Sequence, residues 1–156
     1  MKKLISILFL TTLALLFGLI DNNAFAQCNQ KVVYKCATNN GNAIYLRDFN
    51  AKLKKARPGR PTPVQKFSVV LNKGTHYRFN LCDPPGFEGR SVLYLYSSNK
   101  LLASTYNKAL DKDYKQFDFI CRKTATYYVF IAYKEGRKEK RGCAVGILSF
   151  VGKNKN

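Results

Sequence analysis

Apolar residues along most of this chain recur at every second position, the spacing of a half-buried β-strand. Thr75 to Cys82 shows it most plainly: Tyr77, Phe79 and Leu81 fall on one side, His76, Arg78 and Asn80 on the other. Val64 to Leu71 groups Phe67, Val69 and Leu71, and Lys73-Gly74 reads as a tight hairpin turn between these two segments. Arg90 to Ser97 carries the run Val92-Leu93-Tyr94-Leu95-Tyr96 and turns at Ser98-Asn99 into Leu101 to Ser104. Gln116 to Cys121 alternates again, and Thr126 to Tyr133 is aromatic and β-branched. Cys143 to Val151 closes the series after a charged hairpin loop, Lys134 to Gly142. Upstream, Val32 to Cys36 and Ala43 to Arg47 read as shorter strands around Asn39-Asn40-Gly41-Asn42, where Asn-Gly supplies positive φ. Phe49 to Ala56 is the one segment with a helical reading, ended early by Pro58, and Lys52 to Pro63 reads as an exposed basic loop.

About eight or nine short strands with turn residues between them predict an all-β protein, a single antiparallel β-sandwich or jelly-roll-like domain. Residues 64–151 form its core, with 27–63 as N-terminal strands and basic loop of the same domain and 152–156 as a disordered tail. The strands at 92–96 and 143–151 are apolar on both faces, so a loop or a partner is expected over the side turned away from the core.

The first 26 residues carry a different pattern. Lys2 and Lys3 precede an apolar run from Leu4 to Ile20, and Ala24-Phe25-Ala26 places small residues where a signal peptidase needs them. Residues 1–26 thus read as a cleavable signal peptide, with the mature chain starting at Gln27. An uncleaved anchor is the competing reading, because the run is nearly long enough to span a bilayer. Gln27 before Cys28 argues against a lipoprotein. The expected location is secreted or periplasmic.

Charge sharpens the functional reading. The chain has 27 Lys and Arg against 9 Asp and Glu; loss of Lys2, Lys3 and Asp21 with the leader leaves a formal +17. Such a field attracts polyanions over about 8 Å at physiological salt. Acidic polysaccharide, lipopolysaccharide, nucleic acid and an anionic membrane surface are the partners it selects, while the alternative is that the excess serves only solubility. Two clusters concentrate it: Lys52, Lys54, Lys55, Arg57 and Arg60 in a loop stiffened by Pro58 and Pro61, and Arg137, Lys138, Lys140 and Arg141 at a loop tip. Arginine offers a planar fork to phosphate or sulfate and lysine a point charge. Ten tyrosines are available to stack on sugars or bases, although Tyr127 reads as core.

Five cysteines, Cys28, Cys36, Cys82, Cys121 and Cys143, suggest two disulfides and an odd thiol in an oxidising compartment. If strands simply alternate up and down, Cys82 and Cys143 share one end of the sandwich and Cys36 and Cys121 the other. The expected bridges are therefore Cys36–Cys121 and Cys82–Cys143, with Cys28 unpaired or intermolecular; a helix breaking the alternation would undo this. No Cys-x-x-Cys occurs and His76 is the only histidine, so no metal or cofactor is indicated.

The succession Gly74-Thr-His-Tyr-Arg-Phe-Asn-Leu81, Val92-Leu-Tyr-Leu-Tyr96, Phe117-Asp-Phe119 and Thr124-Ala-Thr-Tyr-Tyr-Val-Phe-Ile131 resembles the bacterial pre-peptidase C-terminal β-sandwich, over about residues 64–151. That resemblance implies a non-catalytic accessory module of secreted proteins. Ala125 replaces the family's turn glycine and Ser97 its frequent acidic residue, which weakens any calcium inference. The mature chain also resembles small secreted proteins of Bacteroidetes-type bacteria.

Catalysis is disfavoured. No Gly-x-Ser-x-Gly elbow, His-Glu-x-x-His or phosphate loop is present. His76 lies on a polar strand face beside Arg78 without an evident nucleophile. As glycosidase carboxylates only Asp83, Glu88, Asp111, Asp113 and Asp118 sit near loops or faces that could converge, and each has lysine, arginine or turn residues nearby. Asp111-Lys112-Asp113 is interleaved with lysines and reads as a solvated loop rather than a Ca²⁺ site. The expected function is non-enzymatic binding of an anionic envelope or extracellular component; the alternative is a protein–protein interaction or structural subunit of the envelope.

Overall fold

The structure, a computed structural model, describes residues 28, 30–55, 57, 59–87, 89–134 and 142–153. Residues 1–26, read above as a signal peptide, and Arg137, Lys138, Lys140 and Arg141 lie outside the described residues.

One helix and ten strands follow in order: α1 (Gln30–Thr38), β1 (Ile44–Leu53), β2 (Val64–Leu71), β3 (Thr75–Cys82), β4 (Ser91–Ser97), β5 (Lys100–Ser104), β6 (Tyr106–Asn107), β7 (Lys112–Asp113), β8 (Gln116–Ile120), β9 (Ala125–Tyr133) and β10 (Gly142–Lys153). Two four-stranded antiparallel sheets, β1-β10-β3-β8 and β2-β9-β4-β5, make the sandwich, and β6-β7 is a small separate ribbon. Between the sheets, alternate residues form the core: Phe49, Leu71, Phe79, Leu93, Leu95 and Ile131 are fully buried. This is the all-β sandwich that the alternation predicts.

Four local readings need correction. The 30–38 segment is helical where Val32 to Cys36 reads as a strand, because its apolar residues Val32, Val33, Cys36 and Ala37 fall on one helical stripe. That stripe covers Val145 and Ile147, the outer side of β10, which explains why β10 is apolar on both faces. Each of these aliphatic side chains would forfeit about 2 kcal/mol if left in water. Conversely, where Phe49 to Ala56 reads as a helix, residues 49–53 belong to strand β1: Phe49, Ala51 and Leu53 alternate into the core while Asn50 and Lys52 face out. Finally, β2 and β3 do not pair with each other. Lys73-Gly74 carries the chain from one sheet to the other, with Gly74 at φ +75°. The 134–142 connection likewise joins opposite sheets rather than closing a hairpin. The turn at Ser98-Asn99 does close one: Ser97 lies opposite Lys100 and Ser98 adopts φ +52°.

Helix α1 also rewrites the disulfides. The bonds are Cys28–Cys143 and Cys36–Cys82, with Cys121 free and buried, in place of Cys36–Cys121 and Cys82–Cys143. Cys82 and Cys143 do share one end, since Cys82 lies opposite Val145, two residues from Cys143. Residues 28 and 36 flank the helical stripe above them and bridge both before they can reach each other. Cys121 sits at the opposite end, where its amide donates to the Thr75 carbonyl.

Candidate functional site

The first basic cluster leaves the fold at one end of the sandwich. Lys52 faces out from β1, and Lys54, Lys55, Arg57 and Arg60 are exposed on the connection to β2. Among the described residues, none of the five has an ion-pair partner. The anchors of this connection are Leu53, opposite Gly142, and Val64, opposite Ala132. Gly142 and Lys134 are also the described residues that bound the segment containing Arg137, Lys138, Lys140 and Arg141. The first stretch joins β1 to β2 and the second joins β9 to β10, and β1 pairs with β10 while β2 pairs with β9.

The described carboxylates are engaged elsewhere, so they do not neutralise this end. Asp48 accepts from the Tyr45 hydroxyl (2.6 Å) and the Asn50 amide, and this contact pushes the Tyr45 hydroxyl pKa up. Asp111 accepts from the Tyr106 hydroxyl at 2.7 Å, and Asp113 pairs with the largely buried Lys134 ammonium. The Asp111-Lys112-Asp113 carboxylates therefore serve two different neighbours. Asp118 accepts a two-pronged contact from Arg78, Nε at 2.7 Å and Nη2 at 2.9 Å, which holds its carboxyl below the usual range. The His76 ring lies 3.1 Å from the same carboxylate. No described hydroxyl is bonded to that ring, and the nearby Ser149 hydroxyl is buried under the Asn40 amide. Glu88 lies outside the described residues.

A second feature escapes the periodicity argument altogether. A cleft of about 620 Å³ opens between α1, the 81–91 segment and the strip following β7. Lys31, Val32 and Lys35 line one wall, one helical turn apart; Leu81 and the Cys36–Cys82 bridge form the floor. Pro85 and Tyr114 close the far side, and Lys115 stands beside them. The walls are tied down: the Leu81 amide donates to the Lys115 carbonyl (3.0 Å) and the Tyr114 amide to the Thr105 carbonyl (2.8 Å). Asp83, at the edge of the floor, accepts from the Ser91 hydroxyl and the Arg90 amide (3.2 Å) and so closes the 84–91 loop. Burial pushes its carboxyl pKa up, against the pull of those donors. The sequence signal for this site is the apolar pattern Val32, Val33, Cys36 and Ala37, adjacent pairs four residues apart, which fits one face of a helix and not one face of a strand.

No family model matches the chain, and no curated protein matches it. Among solved structures it is similar to a periplasmic lysozyme inhibitor of g-type lysozyme, PliG of Aeromonas hydrophila, at 8% identity and TM-score 0.51, over 69% of this chain and 88% of that one. At that identity the likeness is one of fold, and it agrees with a β-rich sandwich. Two disulfides in so small a domain indicate an oxidising, extracytoplasmic compartment. No helix among the described residues is long and apolar enough to cross a membrane.

Proposed function

We propose that the protein is a secreted or periplasmic, non-enzymatic binding module for an anionic component of the cell envelope or its surroundings, such as acidic polysaccharide, lipopolysaccharide or nucleic acid. The observation carrying this reading is the group Lys52, Lys54, Lys55, Arg57 and Arg60, exposed at one end of a stapled sandwich and without ion-pair partners. A cation cluster with no described ion pair keeps its field for an incoming ligand, and each phosphate or carboxylate it meets releases a counterion. The 135–141 segment, which joins β9 to β10, adds four cations and two glutamates in sequence. The pre-peptidase C-terminal resemblance is consistent with an accessory role.

Binding of the mature chain to polygalacturonate and to duplex DNA should weaken steeply with salt, and Lys52→Gln/Lys54→Gln/Lys55→Gln should lower affinity at least tenfold and flatten the salt slope. Affinity unaffected by salt or by these substitutions would overturn the reading.

A protein partner is the second reading, and a specific surface favours it. On the outer side of the β2-β9-β4-β5 sheet, Tyr128, Tyr96 and Leu101 form a cross-strand row beside Phe130 and Tyr94. Val70, Tyr128 and Leu101 are exposed there. The similar solved structure is itself an inhibitor of another protein. Capture that survives high salt and is lost in Val70→Lys/Leu101→Lys would select this reading over the first.

A further inference from the structure

We infer that the cleft between α1 and the 81–91 segment is a binding site for a small amphiphilic anion, an apolar body bearing one carboxylate, sulfonate or phosphate. Its volume of about 620 Å³ lies within the range of pockets that enclose such molecules. Val32, Leu81, Pro85, Tyr114 and the Cys36–Cys82 bridge provide a largely apolar lining. Three exposed lysines, Lys31, Lys35 and Lys115, stand on it from two sides, and none has an ion-pair partner among the described residues. Of the two carboxylates among the described lining residues, Asp113 is paired with Lys134, and Asp83 is committed to the Ser91 hydroxyl and the Arg90 amide. The cations are therefore left to a ligand.

The chemistry also limits the ligand. Two carboxylates beside the apolar lining disfavour a polymer with charge on every unit, whereas one anionic group held by the lysines leaves an apolar body on Val32, Leu81 and Pro85. The walls need little rearrangement to receive it. A disulfide joins the helix to the floor, and backbone hydrogen bonds from Leu81 and Tyr114 fix the opposite side. The cleft opens at the same end of the sandwich as the basic stretch, since Lys52 lies opposite Cys143 and Cys82 opposite Val145. Lys52, Lys54, Lys55, Arg57 and Arg60 are not among its lining residues, so it is tested independently of the polyanion reading.

The test uses 8-anilinonaphthalene-1-sulfonate and its uncharged relative N-phenyl-1-naphthylamine as probes of the intact, oxidised mature chain. The sulfonate should bind saturably with one site, at least tenfold more tightly than the neutral probe. Lys31→Gln/Lys35→Gln/Lys115→Gln should raise its Kd at least tenfold. Lys52→Gln/Lys54→Gln/Lys55→Gln removes the same charge from the other site and should change Kd less than twofold. Equal weakening by both triple variants, equal affinity for the two probes, or no saturable binding would overturn the inference. Polyanion affinity that falls only in the second variant would separate this site from the basic end.

Discussion

The Cα atoms of Cys36 and Cys82 lie 5.8 Å apart, and the disulfide between them fastens helix α1 to the last residue of β3. The bridge spans 46 positions of sequence, and Cys28–Cys143 spans 115. By the chain-entropy argument, closing loops of those lengths stabilises the fold by roughly 4–5 kcal/mol each. Cys36→Ala/Cys82→Ala should therefore lose a large part of the stability in urea melts and loosen α1 from β10. Cys121→Ala should leave both bridges intact. Peptide mapping under non-reducing conditions should recover 28 with 143 and 36 with 82; a bridged Cys121 would contradict the structure.

Glycine on β10 is demanded by packing rather than by a turn. A Cβ at Gly146 would stand 2.9 Å from Leu93 Cδ1 and 3.1 Å from Ile131 Cδ1, inside the core between the sheets. Gly146→Ala is expected to cost about 1–3 kcal/mol through overpacking. At Gly142 the added carbon would fall 2.0 Å from Phe87 Cζ, so Gly142→Ala must displace the ring that packs on Tyr133. A thermal midpoint unchanged in both variants would show that the two sheets are farther apart than the structure has them.

Asp118 links pH to stability with a definite sign. Arg78 holds its carboxyl below the ordinary value, followed by the charge of His76. The folded state thus binds the proton less readily than the unfolded chain, whose value is about 3.9. The pair stabilises fully above that value, and the contribution disappears as pH falls from it through the lower folded value. Because the carboxylate is 39% exposed, solvent screening limits the contribution to about 1 kcal/mol at most. Asp118→Asn should show that deficit at pH 7 and low salt, and match the wild type near pH 2. A deficit that persists in strong acid would mean that packing, not charge, is lost.

The alternation of Tyr77, Phe79 and Leu81 located β3 to the residue because one face meets the core and the other meets water. The same rule cannot tell a hairpin from two strands facing each other across the core. Phe67, Val69 and Leu71 enter one core with Tyr77 and Phe79 in either arrangement, and the chain takes the second. Val32-Val33-Tyr34 misleads for another reason. Its β-branched residues favour strand locally, but covering Val145 and Ile147 outweighs that propensity. The disulfide pairing failed with it, since it depended on the direction of every preceding element. The basic residues at 52–60 were legible as charge in sequence, whereas Lys31, Lys35 and Lys115 come together only through α1 and the Cys36–Cys82 bridge.

Asp83 offers a test with the opposite sign. Burial raises its carboxyl pKa despite the Ser91 hydroxyl and the amides of Arg90, Ser91 and Gly89. The folded state binds this proton more tightly than the unfolded chain. Its contribution to stability is therefore greatest below the unfolded value of about 3.9 and declines as pH rises from there through the folded value. Asp83→Asn should remove that decline at little structural cost. The amide oxygen can accept from the Arg90 N–H, and the amide nitrogen can donate to the Ser91 hydroxyl, which rotates to receive it. Urea midpoints measured from pH 3.5 to 8 should show the variant equal to or above the wild type at pH 7, with its advantage shrinking toward acid. A loss beyond about 2 kcal/mol at pH 7 would show instead that the ionised carboxylate, through its amide donors, holds the 84–91 loop in place.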